Sequence, residues 1–170
     1  MALSAPALLA EHHELDRFEC GEESLDEWLK KRARANQASG ASRVFVTCEE
    51  QRVAGYYPLS SSAITPAITP GRFRRNMPDP IPVALLGRLA IDKVWQGRGI
   101  GRSLFRDATL RVSHAAETIG IRGIAVHALS DAARKFYLAL GFTECPGEPM
   151  MLVVTLKDVR AALGQTAMGR

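Results

Sequence analysis

The sequence predicts an α/β (α+β) protein, a mixed β-sheet flanked by helices. Three observations carry that expectation. Short runs rich in β-branched, aromatic and other apolar residues recur along the chain. Two later stretches have helical periodicity and end at glycine. The order reads helix, strand pair, central strand, helix, strand, helix, strand, which matches helices packed on a sheet rather than a bundle or a sandwich.

Taken in order, Ser24-Leu25-Asp26-Glu27 reads as a capping box, Ser24 and Glu27 satisfying each other's backbone amides. The helix it opens is expected to run to about Ser39 and to end at Gly40. Arg43–Cys48 and Val53–Ser60 are strand-like, and residues 49–52 read as a hairpin connection. Thr65 to Pro82 holds five prolines and reads as a long ordered loop, because proline interrupts helices and interior strands. Val83–Asp92 is a mostly apolar, central strand. From Gly99 to Ile119 a long helix is expected, with Ile100, Leu104, Ala108, Val112, Ala115 and Ile119 as its buried stripe. Gly123–Leu129 is a short strand. Ser130 caps a helix over Asp131–Leu140, closed by Gly141. A strand over Met150–Leu156 and a short helix near Asp158–Leu163 finish the chain.

At 170 residues the chain is expected to form a single domain, 1–170. No apolar run is long enough for a membrane span, and no basic residues precede the apolar patch at the N-terminus, so neither an anchor nor a secretory signal is expected. Cys20, Cys48 and Cys145 are odd in number and widely spaced, which suggests neither a disulfide framework nor a metal site and suits a cytoplasmic location. Charge is uneven. Residues 1–29 carry eight acids and one base, leaving 21 bases against 10 acids in residues 30–170, a balance of +11. A basic body of that kind points to a polyanionic partner, a nucleotide cofactor or a nucleic acid.

The chemistry centres on Gln96-Gly97-Arg98-Gly99-Ile100-Gly101, which follows the central strand and opens the long helix. Glycines admit a ligand close to the backbone, and the first amides of a helix point outward without partners. Strand, glycine-rich turn and helix N-terminus together make a pyrophosphate cradle, with Arg98 and Arg102 placed to pair with phosphate oxygens. A P-loop is excluded because no Gly-Lys-Ser/Thr is present. A dinucleotide fold would carry such a turn after its first strand, with an acid ending the next.

These residues resemble the GNAT superfamily of N-acetyltransferases. Gln96 to Gly101 matches its Arg/Gln-x-x-Gly-x-Gly/Ala signature, and Arg134 to Phe142 (RKFYLALGF) is similar to its second mark; the likeness spans about residues 20–157. The resemblance implies a mixed, mostly antiparallel, twisted sheet and acetyl-CoA as cofactor. It implies that the amides of Gln96, Gly97, Arg98, Gly99, Ile100 and Gly101, with Arg102, hold the pyrophosphate. Backbone groups of Leu89, Ala90 and Ile91 would pair with the pantetheine arm as an added strand, one amide polarising the thioester carbonyl. Phe136 lies in the second mark and is carried over as a cofactor contact. Ser130 stands where many relatives have asparagine. Tyr137 would be the general acid that protonates the departing thiolate. No base is evident, and an α-amine, with a pKa of about 8, is partly neutral without one.

Gly71–Asp92, continuing into WQGRGIG, together with Phe18–Leu29, is similar to the tRNA-acetylating GNAT toxins of type II toxin–antitoxin systems. That resemblance implies acetylation of the α-amino group on aminoacyl-tRNA, a block in translation, and a ribbon-helix-helix antitoxin as partner. Lys30, Lys31 and Arg34, the loop residues Arg72, Arg74 and Arg75, and Arg88 are then expected to meet tRNA. A homodimer is expected, since a long basic groove is easier to build across two protomers. The alternatives are a GNAT enzyme acting on a small amine or protein N-terminus, and a non-catalytic regulator that binds acyl-CoA or DNA.

Overall fold

The computed structural model describes residues 2–168; Met1 and residues 169–170, the ends of the expected 1–170 domain, lie outside them. In chain order the elements are β1 (Ala7–Leu8), α1 (Glu23–Lys31), α2 (Ala33–Ala38), β2 (Arg43–Glu49), β3 (Arg52–Ile64), α3 (Gly71–Arg74), β4 (Ile81–Leu86), β5 (Ala90–Ile91), α4 (Ile100–Ala115), β6 (Gly123–His127), α5 (Asp131–Ala139), β7 (Thr143–Cys145), β8 (Glu148–Thr155) and α6 (Leu156–Met168). Short 3-10 turns cover Pro66–Ile68 and Lys93–Trp95. The chain divides into two compact units, Met1–Ser60 with Gly87–Ala108, and Ser61–Leu86 with Thr109–Arg170.

In the first unit β1, β2 and β3 are antiparallel, with Ala7 opposite Val46 and Val46 opposite Tyr56. Glu50, at φ 54°, makes the tight turn expected between β2 and β3. β5 pairs antiparallel with β3, Gly55 facing Ile91. Leu29 of α1 and Ala33 of α2 close over Val44, Val46 and Tyr56, and Leu9, Leu15 and Phe18 of the N-terminal segment join the same core. The acidic N-terminal segment is therefore part of the fold. Its amides at Leu9 and Glu14 donate to Val44 and Gln51.

In the second unit β4 runs parallel to β6, β6 antiparallel to β8, and β8 antiparallel to β7. The pairing is thus mixed and mostly antiparallel, as expected. Ile64, Phe73, Ile81, Val83, Ala125, Cys145 and Val153 form its core. Gly123 permits the tight β6–β8 approach: a Cβ there would lie 2.0 Å from the Val154 carbonyl oxygen.

Several elements differ from the sequence reading. There is no capping box: α1 starts at Glu23 with Glu22 as N-cap, and no side chain caps it. Asp26 instead accepts from the Cys20 amide at 2.9 Å, and Glu27 pairs with Lys31 at 3.3 Å. The single expected helix breaks at Arg32, whose φ of −120° departs from helical values. The expected central strand 83–92 is two strands, β4 and β5, interrupted at residues 87–89: β4 pairs with β6, and β5 pairs with β3. The long helix stops at Ala115, and Ile119 is 55% exposed. The proline-rich stretch includes α3, pinned by Arg122: its Nε donates to the Phe73 carbonyl (2.9 Å) and Nη2 to that of Arg72 (2.8 Å). The short strands β1 and β7 carry no sequence signal longer than three residues.

Candidate active site

The cradle is built in the first unit by β5, the 3-10 turn and the start of α4. Asp92, 2% exposed, anchors it. One carboxylate oxygen accepts from the Val94 amide (2.9 Å), capping the turn, and the other accepts from the Glu19 amide (2.9 Å). Gln96 ties the next step down, its side-chain amide donating to the carbonyls of Cys20 (2.7 Å) and Ile91 (2.8 Å). Gly97 and Gly99 then take left-handed conformations, φ 80° and 78°, a region that favours glycine. Neither would meet another atom within 4 Å of an added Cβ, so the turn opens onto space.

What this turn offers is a row of donors. Among the described residues, the amides of Gly97, Arg98, Gly99, Ile100, Gly101 and Arg102 have no acceptor. Ser103 is the first to bond back, to Gly99 at 3.2 Å. Exposed helix-start amides and the helix dipole favour an anion, and a diphosphate suits six donors in sequence. Arg98 and Arg102 stand exposed beside them without ion-pair partners among the described residues. The residues present therefore fit the diphosphate of a coenzyme.

β5 presents the second feature. The Asp92 amide donates to Ala54 at 2.8 Å, so strand alternation turns Ala90 towards β3 and Leu89 and Ile91 away from it. No strand among the described residues pairs with that outer edge. It is open for an extended ligand arm, with the Ile91 carbonyl already taken by Gln96. Of the three expected contacts, Leu89 and Ile91 thus expose backbone groups and Ala90 does not. Gly55 lets β5 sit this close, since a Cβ there would meet the Ile91 side chain at 2.8 Å.

The second unit carries Ser130, Phe136 and Tyr137. Ser130 caps α5, its hydroxyl accepting from the Ala133 amide at 3.1 Å. Tyr137 is 5% exposed, with Phe136 and Phe142 edge-on to its ring at 5.3 and 5.4 Å. Its hydroxyl has no hydrogen-bond partner among the described residues, and burial pushes the phenol above its ordinary pKa. Such a group stays protonated and is a proton donor rather than a base. Arg134, one turn earlier, pairs with Glu144 of β7 and with Asp131 at 3.2 Å, fixing α5 beside the strand.

The basic residues divide by what already holds them. Arg34 donates to the carbonyls of Ala10, Glu11 and His13, the last at 2.7 Å. Arg72 makes a two-pronged pair with Asp158 at 2.7 and 2.9 Å, and Arg74 donates to the Thr69 carbonyl. Lys31 pairs with Glu27. The Arg88 guanidinium lies 4.6 Å over the Trp28 ring. Lys30 and Arg75 are exposed and have no side-chain partner among the described residues. Asp92, the anchor of the cradle, and Trp28 were not expected from the sequence. The only signal for Asp92 was its place as the last residue before the glycine-rich turn.

Comparison with known proteins identifies the family. The family model for the acetyltransferase (GNAT) domain matches residues 40–144, across the cradle and α5. The chain is 50% identical over 161 residues to a "tRNA-acetylating toxin" of Mycobacterium tuberculosis (strain ATCC 25618 / H37Rv), covering 95% of this chain and 97% of that one. It superposes on AtaT complexed with acetyl-methionyl-tRNAfMet with a TM-score of 0.87 and 32% identity, over 95% of this chain and 99% of that one. A mutant AtaT toxin bound to the C-terminus of the antitoxin AtaR and acetyl-CoA matches with a TM-score of 0.81 and 30% identity, over 95% and 97% of the two chains. No helix among the described residues is long and apolar enough to cross a membrane.

Proposed function

The chain belongs to the GNAT acetyltransferase family, and from that premise we propose that it is an acetyl-CoA-dependent toxin that acetylates the α-amino group of aminoacyl-tRNA and so blocks translation. The observation that carries the acetyl-CoA part is the run of six unpartnered amides from Gly97 to Arg102. The tRNA part is supported by 50% identity, over almost the whole chain, to the mycobacterial toxin.

Acetyl-CoA supplies an acetyl group activated as a thioester. The amides of Gly97–Arg102 hold its diphosphate, with Arg98 and Arg102 as cationic flanks. The Leu89 and Ile91 edge of β5 would hold the pantetheine arm, and an amide of that edge would be available to polarise the thioester carbonyl. Tyr137 holds the proton that the departing sulfur requires, its raised pKa keeping the phenol intact at neutral pH. No residue need remove a proton from the amine, whose pKa of about 8 leaves part of it neutral. Ser130 acts as a helix cap, and Phe136 packs on Tyr137. Lys30 and Arg75 meet tRNA phosphates, with Lys31 adding charge beside Lys30. The protein works as a single-domain enzyme in the cytoplasm, as a homodimer, and is restrained by a ribbon-helix-helix antitoxin.

The direct test is incubation with acetyl-CoA and total charged tRNA, followed by nuclease digestion and mass analysis of the aminoacyl-adenosine ends. N-acetylated ends are expected. Untouched aminoacyl ends, with acetylation of small amines or protein N-termini instead, would overturn the tRNA assignment.

A further inference from the structure

Asp92 holds the glycine-rich turn in place, and it does so with a charged group. Its buried carboxylate accepts from the Val94 and Glu19 amides. Five residues separate it from Gly97, a reach of at most about 18 Å of extended chain. A buried anion at that range is little screened by salt and opposes the binding of a diphosphate. A cradle that attracts anions therefore needs a cation against Asp92.

Arg52, the first residue of β3, supplies that cation. Its Nη2 lies 3.7 Å from Asp92 Oδ2, an ion pair too long for a hydrogen bond, and its side chain is 20% exposed. Among the described residues no other cation pairs with that carboxylate. The neighbouring Lys93 is engaged with Glu19 at 3.1 Å. The Arg52 guanidinium lies 4.9 Å over the ring of Trp95, which is itself buried and directly precedes Gln96. Its Nε is buried without a hydrogen-bond partner among the described residues. Arginine usually spends its fork of donors on hydrogen bonds. Here the charge of Asp92 and the face of the indole hold the group instead. The backbone on either side is fixed: Glu14 bridges to Arg52, Glu49 faces it across the hairpin, and the Val53 amide donates to the Glu14 carbonyl at 3.1 Å.

We propose that Arg52 is a positioning residue for acetyl-CoA. It cancels the charge of Asp92 beneath the diphosphate turn and, by covering Trp95, fixes the point from which Gln96 and the row of amides start. The inference rests on the acetyl-CoA reading of the cradle. Arg52 acts through Asp92 and Trp95 and is assigned no contact with the cofactor. Removing it leaves a buried carboxylate without its counter-charge, so the loss falls on the anionic part of the ligand. A merely structural arginine would affect every part of the ligand alike.

The test uses the full chain and its variants Arg52→Met, Arg52→Lys, Arg52→Gln, Asp92→Asn and the double variant Arg52→Met with Asp92→Asn. Dissociation constants are measured for acetyl-CoA by calorimetry and for acetyl-pantetheine, which lacks the diphosphate, by ligand-observed NMR. Arg52→Met is expected to weaken acetyl-CoA binding about fivefold or more and to leave acetyl-pantetheine binding unchanged. Asp92→Asn removes the charge and one amide acceptor together, so it weakens the turn by itself; the deciding quantity is what Arg52→Met adds to it. With the carboxylate charge gone, that addition is expected to be less than about twofold. Arg52→Lys, which keeps the charge, is expected to bind acetyl-CoA more tightly than Arg52→Gln, and this pair decides the matter if Arg52→Met impairs folding. Equal weakening for both ligands, the same loss from Arg52→Met with and without Asp92→Asn, or no loss at all would overturn the proposal. A wild-type protein that binds acetyl-CoA no more tightly than acetyl-pantetheine would overturn the cradle itself, and the role of Arg52 with it.

Discussion

Tyr137 occupies a packing position whose burial suits the proton donor proposed for it. Two aromatic edges and near-complete burial remove water from the phenol, which disfavours its ionised form. Tyr137→Phe keeps the ring packing and removes only the proton. It is expected to lower kcat about 10²–10⁴-fold while leaving the acetyl-CoA Kd unchanged, as read by single-turnover kinetics beside calorimetry. Equal losses in both would make Tyr137 a binding residue.

Buried thiols make a second residue-scale prediction. Burial pushes Cys48 and Cys145 from an ordinary value of 9.0 up to about 11. The unfolded chain therefore ionises first as pH rises. The contribution of thiol burial is whole below pH 9 and is lost progressively as pH climbs through about 11. Melting temperature should fall across that window, and Cys48→Ala, though less stable at neutral pH, should show a shallower fall. A melting curve with the same alkaline slope in the variant would remove Cys48 as a cause.

At the scale of elements, two glycines of similar appearance have opposite roles. Gly123 lies where β6 meets β8, and a Cβ there collides with strand backbone: 2.0 Å to the Val154 oxygen and 2.9 Å to the Thr155 Cα. Gly123→Ala is expected to separate the strands and to cost more than about 4 kcal/mol, seen as failed soluble expression or a collapsed melting temperature. Gly99 has open space, and only its φ of 78° resists a side chain. Gly99→Val is expected to cost about 1–3 kcal/mol, leaving a folded protein, yet to bind acetyl-CoA at least about tenfold more weakly because the amide row loses its geometry. Full acetyl-CoA affinity in Gly99→Val would mean that the diphosphate lies elsewhere.

For the whole molecule the relevant quantity is charge, +11 across residues 30–170. Much of it is engaged internally: Arg34 with loop carbonyls, Arg72 with Asp158, and Arg134 with Glu144 and Asp131. The tRNA contribution is assigned to the cations that have no such partner among the described residues. Lys30→Ala combined with Arg75→Ala is expected to weaken aminoacyl-tRNA binding and to flatten its salt dependence by roughly one unit of slope for each phosphate left without its cation. Arg74→Ala alone should do less, since Arg74 holds the Thr69 carbonyl. Filter binding across a salt series would show this, and an unaltered slope in the double variant would move the phosphate-binding role to other residues.

By itself the sequence determined the local devices of this protein. The glycine-rich turn after an apolar strand, the Ser130 cap, the Gly141 stop and the hairpin at 49–52 were all legible, because a turn conformation or a cap depends on residues a few positions apart. Both marks of the family were visible for the same reason. Tertiary structure alone decided three things: that strand 83–92 is interrupted at residues 87–89, that Arg32 breaks the first helix, and that Asp92 anchors the cradle. The strand interruption and the anchor depend on groups distant in sequence. Asp92 accepts from the Glu19 amide, 73 residues away, and β5 finds its pair in β3. An apolar run or a carboxylate declares that it is to be buried or bonded; only the folded chain supplies the partner.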